Sequence, residues 1–86
     1  MKDAINSIEE IRNLIFDFDI KIAMNKVSKL IEDLILISSN LSQPKTNKFM
    51  SIITLMNIAL GNKDYLLYSD ILKYELRPFL EQEEKS

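Results

Sequence analysis

Between Asp19 and Leu41 the apolar residues Ile20, Ala23, Val27, Leu30, Ile31, Leu34, Ile37 and Leu41 recur three or four positions apart. Lys21, Asn25, Lys29, Glu32 and Asp33 fall on the opposite arc. This is the pattern of a long amphipathic helix with one continuous apolar stripe. A helix of this kind cannot bury its own stripe, so the rest of the chain must supply the surfaces that cover it.

Upstream, Ala4, Ile8, Ile11 and Ile15 keep helical spacing over residues 3–17. At about 100° per residue the two stripes point roughly 150° apart, so one straight helix would need two opposed cores. A break at Phe16-Asp17-Phe18-Asp19 is the economical solution, with Asp17 or Asp19 as N-cap of a second helix over 19–41. Phe16 to Ile22 also alternates apolar and polar like a strand, but no second alternating run exists to pair with it.

The segment Ser42-Gln43-Pro44-Lys45 reads as a loop, with Thr46 or Asn47 capping a third helix over 48–60. Gly61 is placed to end that helix in a left-handed conformation, and Asn62 to cap a fourth over 63–77. Pro78 argues that Arg77 is not helical and that the chain kinks or stops there. Residues 81–86 read as a frayed acidic tail. A shift of 45 residues lays Asp19 on Asp64, yet apolar positions then coincide little more often than composition dictates, so no repeat is claimed. The expected fold is a single all-α domain, an antiparallel bundle of four helices.

Composition narrows the function. Eleven basic residues against thirteen acidic ones give a net charge of −2, with no general attraction to nucleic acid or an anionic membrane. Cysteine and histidine are both absent, which removes disulfides, thiolate zinc sites, the usual general base and every histidine-containing triad. The carboxylate pairs Glu9-Glu10, Asp17-Asp19 and Glu32-Asp33 match no calcium loop and no di-iron motif, and read as solvated faces and caps. No metal, cofactor or catalytic residue is expected. The third helix has no arginine and only Lys48 at its start, so it fails as a DNA-reading helix. The amino terminus lacks the apolar core of a signal peptide, no run is long enough for a membrane span, and a cytoplasmic location is expected. Heavy use of Ile, Lys and Asn suggests an A/T-rich bacterial genome.

Two segments stand out. From Phe49 to Asn62 there is no charge at all; Phe49, Ile52, Ile53, Met56, Ala59 and Leu60 form an apolar arc, with Met50 and Ile58 among the remaining Ser51, Thr54 and Asn57. Such a helix is either covered on most sides or has a face left for a second chain. The fourth helix offers two apolar surfaces: Tyr65, Tyr68, Leu72, Leu76 and Phe79 on one, Leu67, Ile71 and Tyr74 on the other, with Glu75 between them. Glu75 is expected to lean outward, since a lone carboxylate without a second positioned acid is a poor enzyme site.

The run from Ala59 to Tyr65, continued by Leu67, Asp70, Leu72, Tyr74-Glu75-Leu76 and Pro78, resembles a carboxyl-terminal signature, D-Y-x-L-x-x-D-x-L-x-Y-E-L-x-P-x-L. That signature belongs to short, uncharacterised helical proteins of low-GC Gram-positive bacteria. The resemblance implies a small accessory protein, with an association with motility proteins, and makes Tyr65, Asp70, Tyr74 and Glu75 parts of one shared feature. It transfers no catalytic or ligand residue.

The expected function is that of a non-enzymatic protein–protein interaction module, an adaptor or chaperone-like accessory that binds a protein partner or itself as a homodimer. The residues expected to carry it are Met50 and Ile58 on the third helix or the Leu67–Ile71–Tyr74 surface of the fourth, with Glu75 beside it. The alternative is a bundle that holds an apolar small molecule between the third and fourth helices, in a cavity lined by Phe49, Met50, Met56 and the tyrosines.

Overall fold

A computed structural model of the chain describes residues 1–85. Among these the chain forms four helices and no strand: α1 (Lys2–Phe16), α2 (Ile20–Ser38), α3 (Gln43–Gly61) and a long C-terminal helix. The last is built from α4 (Tyr65–Ile71), a π-helical segment (Leu72–Leu76) and α5 (Arg77–Glu84). The all-α bundle expected from the periodicity is the observed fold.

α1 and α2 are separate, as their opposed stripes require. α1 ends in a Schellman motif: Phe18 N–H donates to Ile15 O (3.0 Å) and Asp19 N–H to Leu14 O (2.8 Å). Phe18 is left-handed, at φ 59°. The α3–α4 turn repeats this geometry. Lys63 N–H donates to Leu60 O (3.0 Å), Asp64 N–H to Ala59 O (2.9 Å), and Lys63 has φ 56°. Asp19 and Asp64 then stand at the N-cap of the following helix, and the Asp64 carboxylate accepts from Leu67 N–H at 3.1 Å. The expectation for Gly61 is therefore corrected. α3 runs through Gly61 to an Asn62 C-cap, no glycine has positive φ, and Lys63 takes the left-handed position two residues on. The capped carbonyls offset the left-handed strain of about 1–2 kcal/mol on a non-glycine residue.

Both prolines are helical. Pro44 lies in the first turn of α3, behind Ser42 as N-cap, where its missing N–H would have had no partner. α3 thus begins at Gln43, five residues before the expected start. Pro78 does not stop the last helix either. Arg77 is helical (φ −58°, ψ −47°), and its N–H reaches back five residues to Leu72 O. The wider π turn admits the pyrrolidine ring where an α turn would clash with the carbonyl four residues earlier. Residues 81–84, expected to fray, are helical; Leu80 is buried, and Glu83 pairs with Lys45 at 3.1 Å. Ser86 lies outside the described residues.

α1 packs against α2 on one side and the C-terminal helix on the other; α3 packs on the far side of that helix. The core is Ile8, Ile11, Leu30, Phe49, Met56, Tyr68, Leu72, Leu76 and Leu80, with smaller neighbours filling between them. Each large side chain buried there contributes about 1.5–3 kcal/mol. Phe49 and Phe79 rings lie 5.4 Å apart and tie α3 to α5. Polar contacts tie α1 to the C-terminal helix: Arg12 Nε donates to Ser69 Oγ (3.1 Å), and Glu9 bridges Arg12 and Arg77. α2 and α3, by contrast, face each other across an open groove.

Candidate interaction surface

The α3 sequence buries Phe49, Ile52, Met56 and Ala59 and leaves Met50, Ser51, Thr54, Leu55, Asn57, Ile58 and Gly61 exposed. At 100° per residue the exposed set from Asn57 through Met50 and Ile58 to Leu55 spans about 160° of helix surface. No charge lies on it. Met50 (50% exposed), Leu55 (47%) and Ile58 (53%) give it a large apolar component. Its hydroxyls are spent on the helix itself: Thr54 Oγ1 donates to Met50 O at 2.9 Å and Ser51 Oγ to Asn47 O at 3.1 Å. A covering surface would strand neither donor.

On the α2 side this face runs into the groove. Leu34 and Phe49 lie buried in it, Ile31 and Ile53 are half-buried, and Ile35 and Met50 stand exposed. Its volume is about 150 Å³, close to that of an engineered apolar cavity which holds one benzene. A single aliphatic or aromatic side chain would fill it.

Of the two surfaces proposed from sequence, the one on α3 is exposed and the one on the last helix is broken. Met50 and Ile58 lie on the outer face of α3. Ile71 is 6% exposed and belongs to the core, which breaks the expected Leu67–Ile71–Tyr74 surface. Leu67 is exposed on α4. Tyr74 and Glu75, both exposed, line a cleft of about 350 Å³ between the C-terminal helix and α3, together with Lys48, Pro78, Phe79, Gln82 and Glu83. That cleft is walled by charges, while Phe49, Met56 and Tyr68 are packed in the core. It is unlike the apolar cavity that the small-molecule alternative calls for.

Sequence reasoning missed a second apolar cluster. Phe18 is 87% exposed, the most exposed large apolar residue of the fold, and Phe16 and Leu66 are exposed with it. Phe18 and Leu66 line a cleft of about 280 Å³ with Ile15, Ile20, Lys63, Asp64 and Tyr65, where the two Schellman turns meet. The signal was present: Phe16 and Phe18 fit neither stripe. Ile35 and Leu36, likewise off the α2 stripe, are exposed too. Tyr65 therefore lies at this end of the bundle and Tyr74 beside α3, so the tyrosines of the carboxyl-terminal signature serve different surfaces.

In the core, Tyr68 is wholly buried and its hydroxyl has no hydrogen-bond partner. Burial pushes its phenol well above the ordinary value, because the phenolate would lie in a medium that solvates it poorly.

The family model described as Domain of unknown function (DUF8042) matches residues 1–86. The chain belongs to the DUF8042 family. No curated protein and no solved structure matches it. The match spans the whole bundle, so the α3 face, the α2–α3 groove and the Phe18 end all lie within the DUF8042 domain. No helix described in this DUF8042 chain is long and apolar enough to cross a membrane.

Proposed function

We propose that this chain is a non-enzymatic protein–protein interaction module, a small bacterial accessory or adaptor protein acting in the cytoplasm. The observation that carries this reading is the exposed, uncharged outer face of α3 (Met50, Leu55, Ile58), continuous with the apolar groove toward α2. A solvated helix face normally carries charge, and an apolar patch bounded by polar residues is the usual mark of a protein contact. Groove and face together suit helical or side-chain-knob recognition, in which aliphatic anchors enter a preformed trough. The lack of cysteine and histidine leaves no conventional nucleophile–base pair for an enzyme.

A photo-crosslinking residue at Ile58, compared with one at Asn25 on the charged side of α2, tests the reading in cells. Protein adducts should form from Ile58 and not from Asn25. Equal labelling from both positions, or none from Ile58, would remove it.

A further inference from the structure

We infer that the chain is one helical hairpin occurring twice, residues 4–37 and 49–83 being the same backbone unit. The open α2–α3 groove is then the counterpart of the closed seam between α1 and the C-terminal helix. It stays open because the second hairpin lacks the side chains that close the first.

The turns fix an offset of 45 residues. Phe18 N–H donates to Ile15 O and Lys63 N–H to Leu60 O, both at 3.0 Å; Asp19 N–H donates to Leu14 O (2.8 Å) and Asp64 N–H to Ala59 O (2.9 Å). The flanking bonds match as well: Asp17 to Asn13 (3.0 Å) with Asn62 to Ile58 (3.1 Å), and Ala23 to Asp19 with Tyr68 to Asp64, both 3.0 Å. The backbone angles agree residue by residue. Asp17 has φ −85° and ψ 5° where Asn62 has −90° and 0°; Asp19 has −91° and 64° where Asp64 has −89° and 78°. Any antiparallel bundle contains two hairpins, but none is thereby obliged to place a non-glycine residue at positive φ at the same step of both.

Burial keeps the same offset. Ala4, Ser7 and Ile11 are buried, and so are Phe49, Ile52 and Met56; Ala23 and Val27 are buried, and so are Tyr68 and Leu72. Beyond Leu72 the offset of 45 fails, since Leu30 is buried and Glu75 exposed. An offset of 46 takes over, pairing Leu30 and Leu34 with Leu76 and Leu80, all buried. The change falls within the π-helical segment Leu72–Leu76, which is one residue longer than the stretch of α2 it matches. Residue identity hides the repeat because volume is traded between the halves. Ala4 and Ala23 stand where the second hairpin has Phe49 and Tyr68, and Leu14 where it has Ala59. Charge is traded too: the Lys26–Glu10 pair corresponds to Ile71 and Leu55.

The same correspondence explains the groove. Arg12 donates to Ser69, and Glu9 pairs with Arg77, across the seam between α1 and the C-terminal helix. The counterparts of Glu9 and Arg12 on α3 are Thr54 and Asn57; those of Ser69 and Arg77 on α2 are Met24 and Ile31. None of the four is charged, so no ion pair draws α3 onto α2, and Ile31 lines the gap between them. The groove and the uncharged α3 face are one departure from the repeat.

Two experiments on the full chain test this. Deleting Lys73 should bring Tyr68, Leu72, Leu76 and Leu80 to the spacing of Ala23, Val27, Leu30 and Leu34, and leave Tm within about 8 °C of wild type. Deleting its counterpart Ser28 from the regular α2 should abolish cooperative unfolding. Equal damage from the two deletions overturns the repeat. A double-mutant cycle then tests the seam, at positions that the correspondence alone selects. Thr54→Glu and Ile31→Arg together should give a Tm several degrees above the sum of the single changes, and salt should shrink the difference. If Ile31→Arg does not fold alone, the milder pair Asn57→Arg and Met24→Ser decides by the same cycle. Strict additivity in the cycle refutes the equivalence of the two seams.

Discussion

Tyr68→Phe should stabilise the protein. The wild-type hydroxyl is removed from water with nothing to bond to, and an unsatisfied buried polar group costs about 1–3 kcal/mol. Deleting one oxygen leaves too small a void to offset that, so a net gain of about 1 kcal/mol is expected, or about 4–8 °C in Tm for a domain of this size. A second readout comes from pH. The folded Tyr68 phenol titrates above its unfolded value of about 10, so above that pH the unfolded chain loses a proton that the folded chain keeps. Stability contributed by this group is complete below about pH 10 and is lost on the alkaline side, at up to about 1.4 kcal/mol per pH unit. Urea unfolding followed by circular dichroism, at one protein concentration and at pH 7, 9 and 11, measures both effects. Tyr68→Phe should unfold later at pH 7 and show a smaller alkaline loss. A variant less stable than wild type at pH 7 would mean that the hydroxyl is hydrogen-bonded, one with the same alkaline slope that the phenol reaches water, and either result would refute the reasoning.

Gly61→Ala should be neutral or stabilising by up to about 1 kcal/mol in chemical denaturation, because Gly61 is helical and a Cβ there meets nothing within 4 Å. Lys63→Gly should stabilise by up to about 1 kcal/mol by relieving the left-handed conformation, and a loss would show that Lys63 makes a contact outweighing the strain. Ile71→Lys should cost about 3 kcal/mol or more or abolish cooperative thermal unfolding, whereas Leu67→Lys, four residues earlier, should change stability by about 0.5 kcal/mol or less. Equal effects at the two positions would contradict their placement on opposite sides of the core boundary.

What was legible from sequence was whatever depends on a regular 3.6-residue period. The α1–α2 break followed from two stripes whose directions could be compared, and the separation of α3 from its neighbours from the turn-forming residues on either side of it. What was not legible depended on single backbone hydrogen bonds. Pro44 reads as a loop former until it is seen that the first turn of a helix needs no donor there. Gly61 reads as the left-handed stop, but the chain closes its Schellman bonds two residues later, on Lys63. For the interaction surface, the charge-free run marked the α3 face correctly as unusual, yet could not say that Ile71 points inward while Leu67 points out. That distinction needs the rotational setting of α4 against α1 and α3, which tertiary packing decides.

That π-helical segment changes the arithmetic of the carboxyl-terminal half. Tyr68, Leu72, Leu76 and Leu80 are all fully buried at strict four-residue intervals. In an unbroken α-helix each such step advances the side chain by about 40°, and the three steps together by about 120°, which would swing Leu80 away from the core that holds Tyr68. Widening the turn between Leu72 and Leu76 slows this drift and keeps the four in phase. The segment behaves as an inserted residue, a phase correction carried inside a continuous helix. Removing one residue from Leu72–Leu76 would leave a regular α-helix in which the same four side chains follow at spacings of four, three and four, within about 60° of one another. Phe79 would then stay on the side that meets Phe49, and Glu83 on the side that meets Lys45. In this fold the phase of the last helix matters more than its residue count, so a single-residue deletion inside the π segment should be far less damaging than one in the regular helix on either side of it.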